Sequence, residues 1–226
     1  PSWRRVMAVA QGQRRSLKRA ALKDRIVQRA VAEGLQAVYH ADFRDFAGGA
    51  EAMREPGDAL SRFVRGIEAP EPHWIVEAEL TGLGASLTSR AVVGCLRQRV
   101  GDERVLALVD EWIRAGVMED LAAANDAEPP RSAISSLLLQ VYCHHAFDVW
   151  AERWCERHAR SAVVLARDGR RLIAAFRHKP GARRMLADLK VRGRQWAPGL
   201  PARNLRLIGF RRYARQHLDG LRQGLT

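Results

Sequence analysis

Glu77 and Glu79 stand two residues apart in the segment Trp74-Ile75-Val76-Glu77-Ala78-Glu79-Leu80. In an extended strand this spacing puts both carboxylates on one face, with Trp74, Val76, Ala78 and Leu80 on the other. A paired carboxylate of this kind can bind a hard divalent cation. The plainer reading is one acid on a sheet face beside a second, solvated one. A second concentration of charge is Arg167-Asp168-Gly169-Arg170-Arg171. Cations at a hairpin tip can grip phosphate oxygens, or simply be solvated. Cys143, His144, Cys155 and His158 carry zinc-ligand chemistry. However, the two cysteines are twelve residues apart on one predicted helix, about 18 Å along its axis, so they cannot converge on one ion. No Ser/His/Asp or Cys/His arrangement and no glycine-rich phosphate loop is present. The tryptophans, among them Trp112, Trp150 and Trp154, fall at helical core spacing and read as packing.

The charge balance favours an anionic partner. The chain has 226 residues and a net charge of +13. Residues 151–226 hold 19 Lys/Arg and 5 Asp/Glu, so the excess lies in the last third. A second basic run is Arg14, Arg15, Lys18, Arg19, Lys23, Arg25 and Arg29. Cations of this density bind nucleic acid because each neutralised phosphate releases condensed counterions. Two such patches would flank a groove if the fold brought them together. Three cysteines are too few, and odd in number, for a disulfide framework, and fit a reducing cytoplasm. No apolar run is long enough to span a bilayer.

The elements that must position these groups follow from periodicity. Lys23–His40 repeats apolar residues at helical spacing through Ile26, Val27, Ala30, Val31, Leu35 and Val38. Asp58–Ile67 predicts a shorter helix, and Trp74–Leu80 a strand. Ser89–Val100, Arg104–Ala115 and a long Ala133–Arg160 follow as helices. Asp168-Gly169 between Ala162–Ala166 and Leu172–Phe176 is a hairpin signal, because glycine accepts positive φ. Gly181–Arg192 predicts a last helix and Leu205–Phe210 a last strand. This order is α+β, with a small antiparallel sheet packed on helices.

Several of these segments occur in an order and spacing that carry a resemblance. They are Lys23-Asp24-Arg25-Ile26-Val27-Gln28-Arg29-Ala30-Val31; Tyr39-His40-Ala41-Asp42-Phe43 and then Asp58-Ala59-Leu60; Arg104-Val105-Leu106-Ala107-Leu108; Trp112-Ile113-Arg114-Ala115-Gly116-Val117-Met118-Glu119-Asp120; and Ile134-Ser135, Leu137-Leu138, Val141-Tyr142 and His144. They resemble the fingers and palm of bacterial group II intron-type reverse transcriptases, from about Arg15 to Tyr213. The resemblance implies fingers-like helices over 1–70, a palm-like region over 71–213, a C-terminal tail over 214–226, and no thumb.

The motifs that carry chemistry in that family are altered here. Its metal-binding carboxylates on the palm hold two Mg²⁺ ions that drive nucleotide transfer. The matching positions read Glu79 on the first strand and Ala85 after it, and Arg170 and Arg171 at the hairpin. A one-residue slip would make Asp168 a substitute acid, but it would also reverse the faces of both strands. The family's "TPQGG" loop reads Glu128-Pro129-Pro130-Arg131-Ser132, and the lysine of its "PEKTR" reads Asn204. The resemblance therefore implies a protein that binds RNA or an RNA–DNA hybrid without extending it. Contacts would come from Arg15, Lys18, Arg19, Lys23, Arg25, Arg131, Arg167, Arg170 and Arg171. Two other functions fit the same residues. One is a surviving RNA-directed DNA polymerase with Glu79 and Asp168 as Mg²⁺ ligands, the single case in which a metal would be needed. The other is a non-binding scaffold or decayed palm whose missing thumb is covered by a protein partner. Neither needs a membrane.

Overall fold

The computed structural model describes residues 3–10, 13–48, 63–67, 72–80, 83, 87–117, 132–159, 163–198 and 200–209. The chain divides into two compact units, each built from separated stretches: residues 1–42 with 87–142, and residues 43–86 with 143–226. This is a different cut from a linear division at residue 70, because the packing joins stretches far apart along the chain.

The first unit opens with β1 (Trp3–Ala10) and β2 (Gln13–Ala20), paired antiparallel from Trp3↔Ala20 to Ala10↔Gln13. The basic run that includes Arg14, Arg15, Lys18 and Arg19 thus starts on a strand. Three helices follow: α1 (Leu22–Tyr39), α2 (Ser89–Leu96) and α3 (Glu103–Arg114). A fourth, α4 (Ala133–Cys143), ends where the unit does. Helix α3 begins at Asp102, whose carboxylate accepts from the Arg104 amide, and it buries Leu106, Val109, Trp112 and Ile113 on one stripe. Those intervals of three, three and one keep the apolar side chains on one face. Tyr39 is fully buried, and its hydroxyl donates to the Cys95 carbonyl at 3.2 Å. Burial raises the Tyr39 phenol well above its ordinary range and the Cys95 thiol to about 11. Ser135 Oγ ties α4 to the end of α3 by donating to the Val117 carbonyl at 2.9 Å.

The second unit is built on a five-stranded sheet. Its strands are β3 (Ala47–Gly48), β4 (Trp74–Glu79), β5 (Val164–Asp168), β6 (Arg171–Phe176) and β7 (Leu205–Gly209), in the order β3-β5-β6-β4-β7. The four longer strands are antiparallel, and the two-residue β3 is a parallel edge. The predicted hairpin is present, with Gly169-Arg170 as its turn and Gly169 at φ +53°. That left-handed conformation strains any residue with a Cβ.

Strand pleating sorts the side chains. Trp74, Val76 and Ala78 of β4 share a face with Phe176, Ala174 and Leu172 of β6 and with Leu207 and Leu205 of β7. Helix α6 (Lys179–Trp196) packs against β4, β6 and β7 through a stripe of Ala182, Met185, Leu189 and Gly193. It starts two residues before the predicted Gly181, with Pro180 in its first turn, where a missing amide costs nothing. On the opposite face, Phe63 of the helical segment 63–67 joins Ala166 and Ala175 in a small apolar cluster.

The predicted helix Ala133–Arg160 is not uniform. It becomes a π-helical turn at His144–Asp148 and resumes as α5 (Val149–His158). The Arg192 guanidinium reaches back to this turn, donating to the carbonyls of Ala146 (2.6 Å) and His145 (3.0 Å). It thereby supplies donors where the regular helical ladder is interrupted. Trp154 of α5 is buried, donates to Asp188 at 2.7 Å, and packs edge-on to Phe176. No helix among the described residues is long and apolar enough to cross a membrane.

Candidate functional site

Asp168, Arg171, Glu79, Glu77 and Arg206 lie on the sheet face opposite α6. Cross-strand register gives a row Asp168–Arg171–Glu79 across β5, β6 and β4. The next row on that face is Ala166–Ile173–Glu77–Arg206. Glu77 is the hub. Its side chain is only 12% exposed, and it meets Arg206 at 2.7 Å and Arg171 at 3.6 Å. Two cations on one largely buried carboxylate neutralise it locally. Arg171 itself stays half-exposed, with a guanidinium directed to this face.

Backbone bonds hold this end of the sheet. The Leu80 amide donates to the Arg170 carbonyl at 2.8 Å, which ties the hairpin turn to the end of β4. Asn204 Nδ2 donates to the Glu79 carbonyl at 3.1 Å and anchors the short 3₁₀ turn Ala202–Asn204 to the same place. Arg167 acts from the other side of the sheet. It is fully buried, pairs with Asp148 through Nε (2.6 Å) and Nη2 (2.7 Å), and donates Nη1 to the Gly169 carbonyl (2.7 Å). Burial opposes its charge, but the Asp148 carboxylate outweighs that penalty and holds the guanidinium above its ordinary value. The turn bearing Arg170 thus rests on a buried ion pair.

This corrects one expectation. Arg167 is not available to a phosphate. It pairs across β5–β6 with Leu172, so pleating sends it to the helix-covered face while Asp168 and Arg171 emerge on the other. Among the other candidates, Asp168 is exposed, Arg170 and Glu79 are half-buried, and Lys23 and Arg25 lie exposed on α1 in the first unit. Arg15, Lys18 and Arg19 lie on β2. Ala85 and Arg131 fall outside the described residues. The Asp168–Arg171 pairing shows no slip that would bring Asp168 into the turn.

Sequence reasoning missed two members of this region. Arg206 follows Leu205 in an alternating strand, and its parity places it opposite Glu77. Asp148 sits inside an otherwise apolar stretch, Ala146-Phe147-Asp148-Val149-Trp150. A carboxylate there signals a buried partner.

The described residues of this face do not fit a two-metal centre. Arg171 stands between Asp168 and Glu79, and among the described residues no three His, Cys, Asp or Glu side chains gather to hold an ion. A guanidinium in that position repels a divalent cation. Cys155 is no better suited to nucleophilic chemistry, since burial pushes its thiol to about 12.

Comparison with known proteins gives distant relatives. The chain is similar to protein YkfC of Escherichia coli K12, 26% identical over 165 residues, which is 71% of this chain and 43% of that protein. It is also similar to the group II intron-encoded protein LtrA of Lactococcus lactis subsp. cremoris, 24% identical over 123 residues, 54% of this chain and 20% of that protein. The chain spans less than half the length of the curated relatives it matches. No protein-family model matches it.

Proposed function

We propose that this chain is a reverse transcriptase-like protein that binds RNA or an RNA–DNA hybrid and does not extend it. The observation that carries this reading is Arg171, set between Asp168 and Glu79 on the exposed sheet face. Where a polymerase of the resembled family needs carboxylates for two metals, this face offers a guanidinium. A cation there suits a phosphate backbone. The likeness to a group II intron-encoded protein supports the family. The net charge of +13 supports the anionic partner.

In this reading residues 1–70 are fingers-like and residues 71–213 are palm-like. Arg170 and Arg171 contact phosphates, aided by Arg15, Lys18, Arg19, Lys23, Arg25 and Arg131. No metal takes part. The test is binding of a fluorescent RNA–DNA primer–template across a salt series, with Mg²⁺ and deoxynucleotides in a parallel lane. The expected result is steeply salt-dependent binding with no extension. Extension abolished by Glu79→Ala would overturn the reading in favour of a surviving polymerase. Absence of binding at any salt would leave a scaffold.

A further inference from the structure

Away from the sheet, the first unit contains an open cleft of about 510 Å³ between α1 and the start of α4. That volume suits a small polar ligand. Leu22, Arg25, Ile26, Gln28, Arg29 and Ile134 line it. Three features make it more than a surface groove. Arg25 and Arg29, one helical turn apart, set two guanidinium groups along one wall. Leu22 and Ile26 lie on the same wall, 70% and 61% exposed, and give it an apolar surface. Gln28 is only 4% exposed, yet its amide nitrogen Nε2 has no hydrogen-bond partner. A buried donor left unsatisfied is costly, and such groups in folded proteins call for an explanation.

We infer that this cleft receives one unpaired nucleotide of a bound single strand. Its phosphates lie on Arg25 and Arg29, its sugar and base lie against Leu22 and Ile26, and an acceptor on the base edge takes the Gln28 Nε2–H. Each part matches one demand of the cleft: anionic oxygens for the arginines, apolar surface for the aliphatic wall, and a carbonyl or ring nitrogen for the amide. The existing Arg29–Glu33 pair at 2.7 Å is solvent-exposed and spans one helical turn, so it yields readily to a phosphate. The inference rests on the nucleic-acid reading above and adds a site and a base dependence to it.

The experiment uses the full chain and fluorescein-labelled RNA 12-mers, one of uridines and one with abasic residues of the same length. Anisotropy across a salt series is read for wild type, Gln28→Leu and the Arg25→Ala/Arg29→Ala double variant. The wild type is expected to bind the uridine strand more tightly than the abasic one. Gln28→Leu should weaken only the uridine strand, about 2- to 10-fold for one lost hydrogen bond, with the salt slope unchanged. The double arginine variant should lower the slope by roughly 1.4 on both strands, from about 0.7 per phosphate contact. Gln28→Leu should melt at or above wild type, because the change removes an unsatisfied donor. A lower midpoint would show a structural role for the amide and overturn the inference. Equal binding of both strands by wild type, or variants indistinguishable from it, would overturn the inference and leave the nucleic-acid reading standing. No binding of either single strand by the wild type would overturn the inference, and failure of the RNA–DNA primer–template to bind as well would overturn the nucleic-acid reading with it.

Discussion

Arg167 and Arg171 are four residues apart on one hairpin, and each meets a carboxylate. Arg167 has no exposed side-chain surface and grips Asp148 with two hydrogen bonds, at 2.6 and 2.7 Å. Arg171 is 53% exposed and lies 3.6 Å from Glu77. The first pair is a structural pin. The second is a surface charge held in place but still open to an anion. The same residue type therefore does two jobs, and strand parity decides which: Arg167 faces α6 with Leu172, while Arg171 faces outward with Asp168 and Glu79.

Removing the buried carboxylate should have the largest effect. Asp148→Ala strands a guanidinium in the interior and should cost about 3–5 kcal/mol in chemical denaturation. The double change Asp148→Leu/Arg167→Met should recover most of that loss, since apolar replacement of a buried pair is often neutral. A small loss for Asp148→Ala would mean the pair is not the pin described.

On the outer face the prediction inverts. Arg171→Ala should change stability by no more than about 1 kcal/mol, as exposed pairs do. Combined with Arg170→Ala, it should reduce the salt slope for an RNA–DNA hybrid by roughly 2, near one per phosphate contact. Unchanged slope would remove these arginines from the interface. Glu77→Gln sharpens the contrast further. It releases Arg171 and Arg206, whose guanidinium ends are exposed, from their shared and largely buried partner, and hybrid affinity should rise, by roughly two-fold or more.

The smallest expected effect lies in the first unit. Asp102 caps α3 and accepts from Arg104, and those hydrogen bonds lower its carboxyl from 3.8 to about 2. A depressed folded-state value adds stability above the unfolded-state value, lost as pH falls through the folded one. Asp102→Ala should therefore lower the melting temperature slightly at neutral pH. The gap from wild type should close as pH falls from about 4 towards 2. A gap that persists at pH 2 would assign the cap's value to something other than its charge.

Much of the fold was legible in the chain. The alternation Trp74–Glu79, the Asp168-Gly169 turn signal and the stripe of α3 are local patterns, and each appears where its period predicts. The candidate face was legible in part: Glu79, Asp168, Arg170 and Arg171 were named from position, and register brings Glu79, Asp168 and Arg171 into one row. Arg167 was misjudged because a run of charges around a turn gives no sign of which member the pleat turns inward. Glu77 read as solvated, yet Arg206, 129 residues away in sequence, reaches it.

Short-range patterns in the chain set the period of each element, the hairpin turn, the charge of +13 and the two adjacent arginines at Arg170 and Arg171. Those properties depend on residues a few positions apart. Tertiary structure alone decided the pairing of β1 with β2, the strand order β5-β6-β4-β7, the π turn that presents Asp148, and the grouping of residues 1–42 with 87–142. It also decided that Gln28, one polar residue among several on α1, is buried without a partner. The reason is that burial and pairing are set by what arrives from elsewhere in the chain, and no local window contains that neighbour.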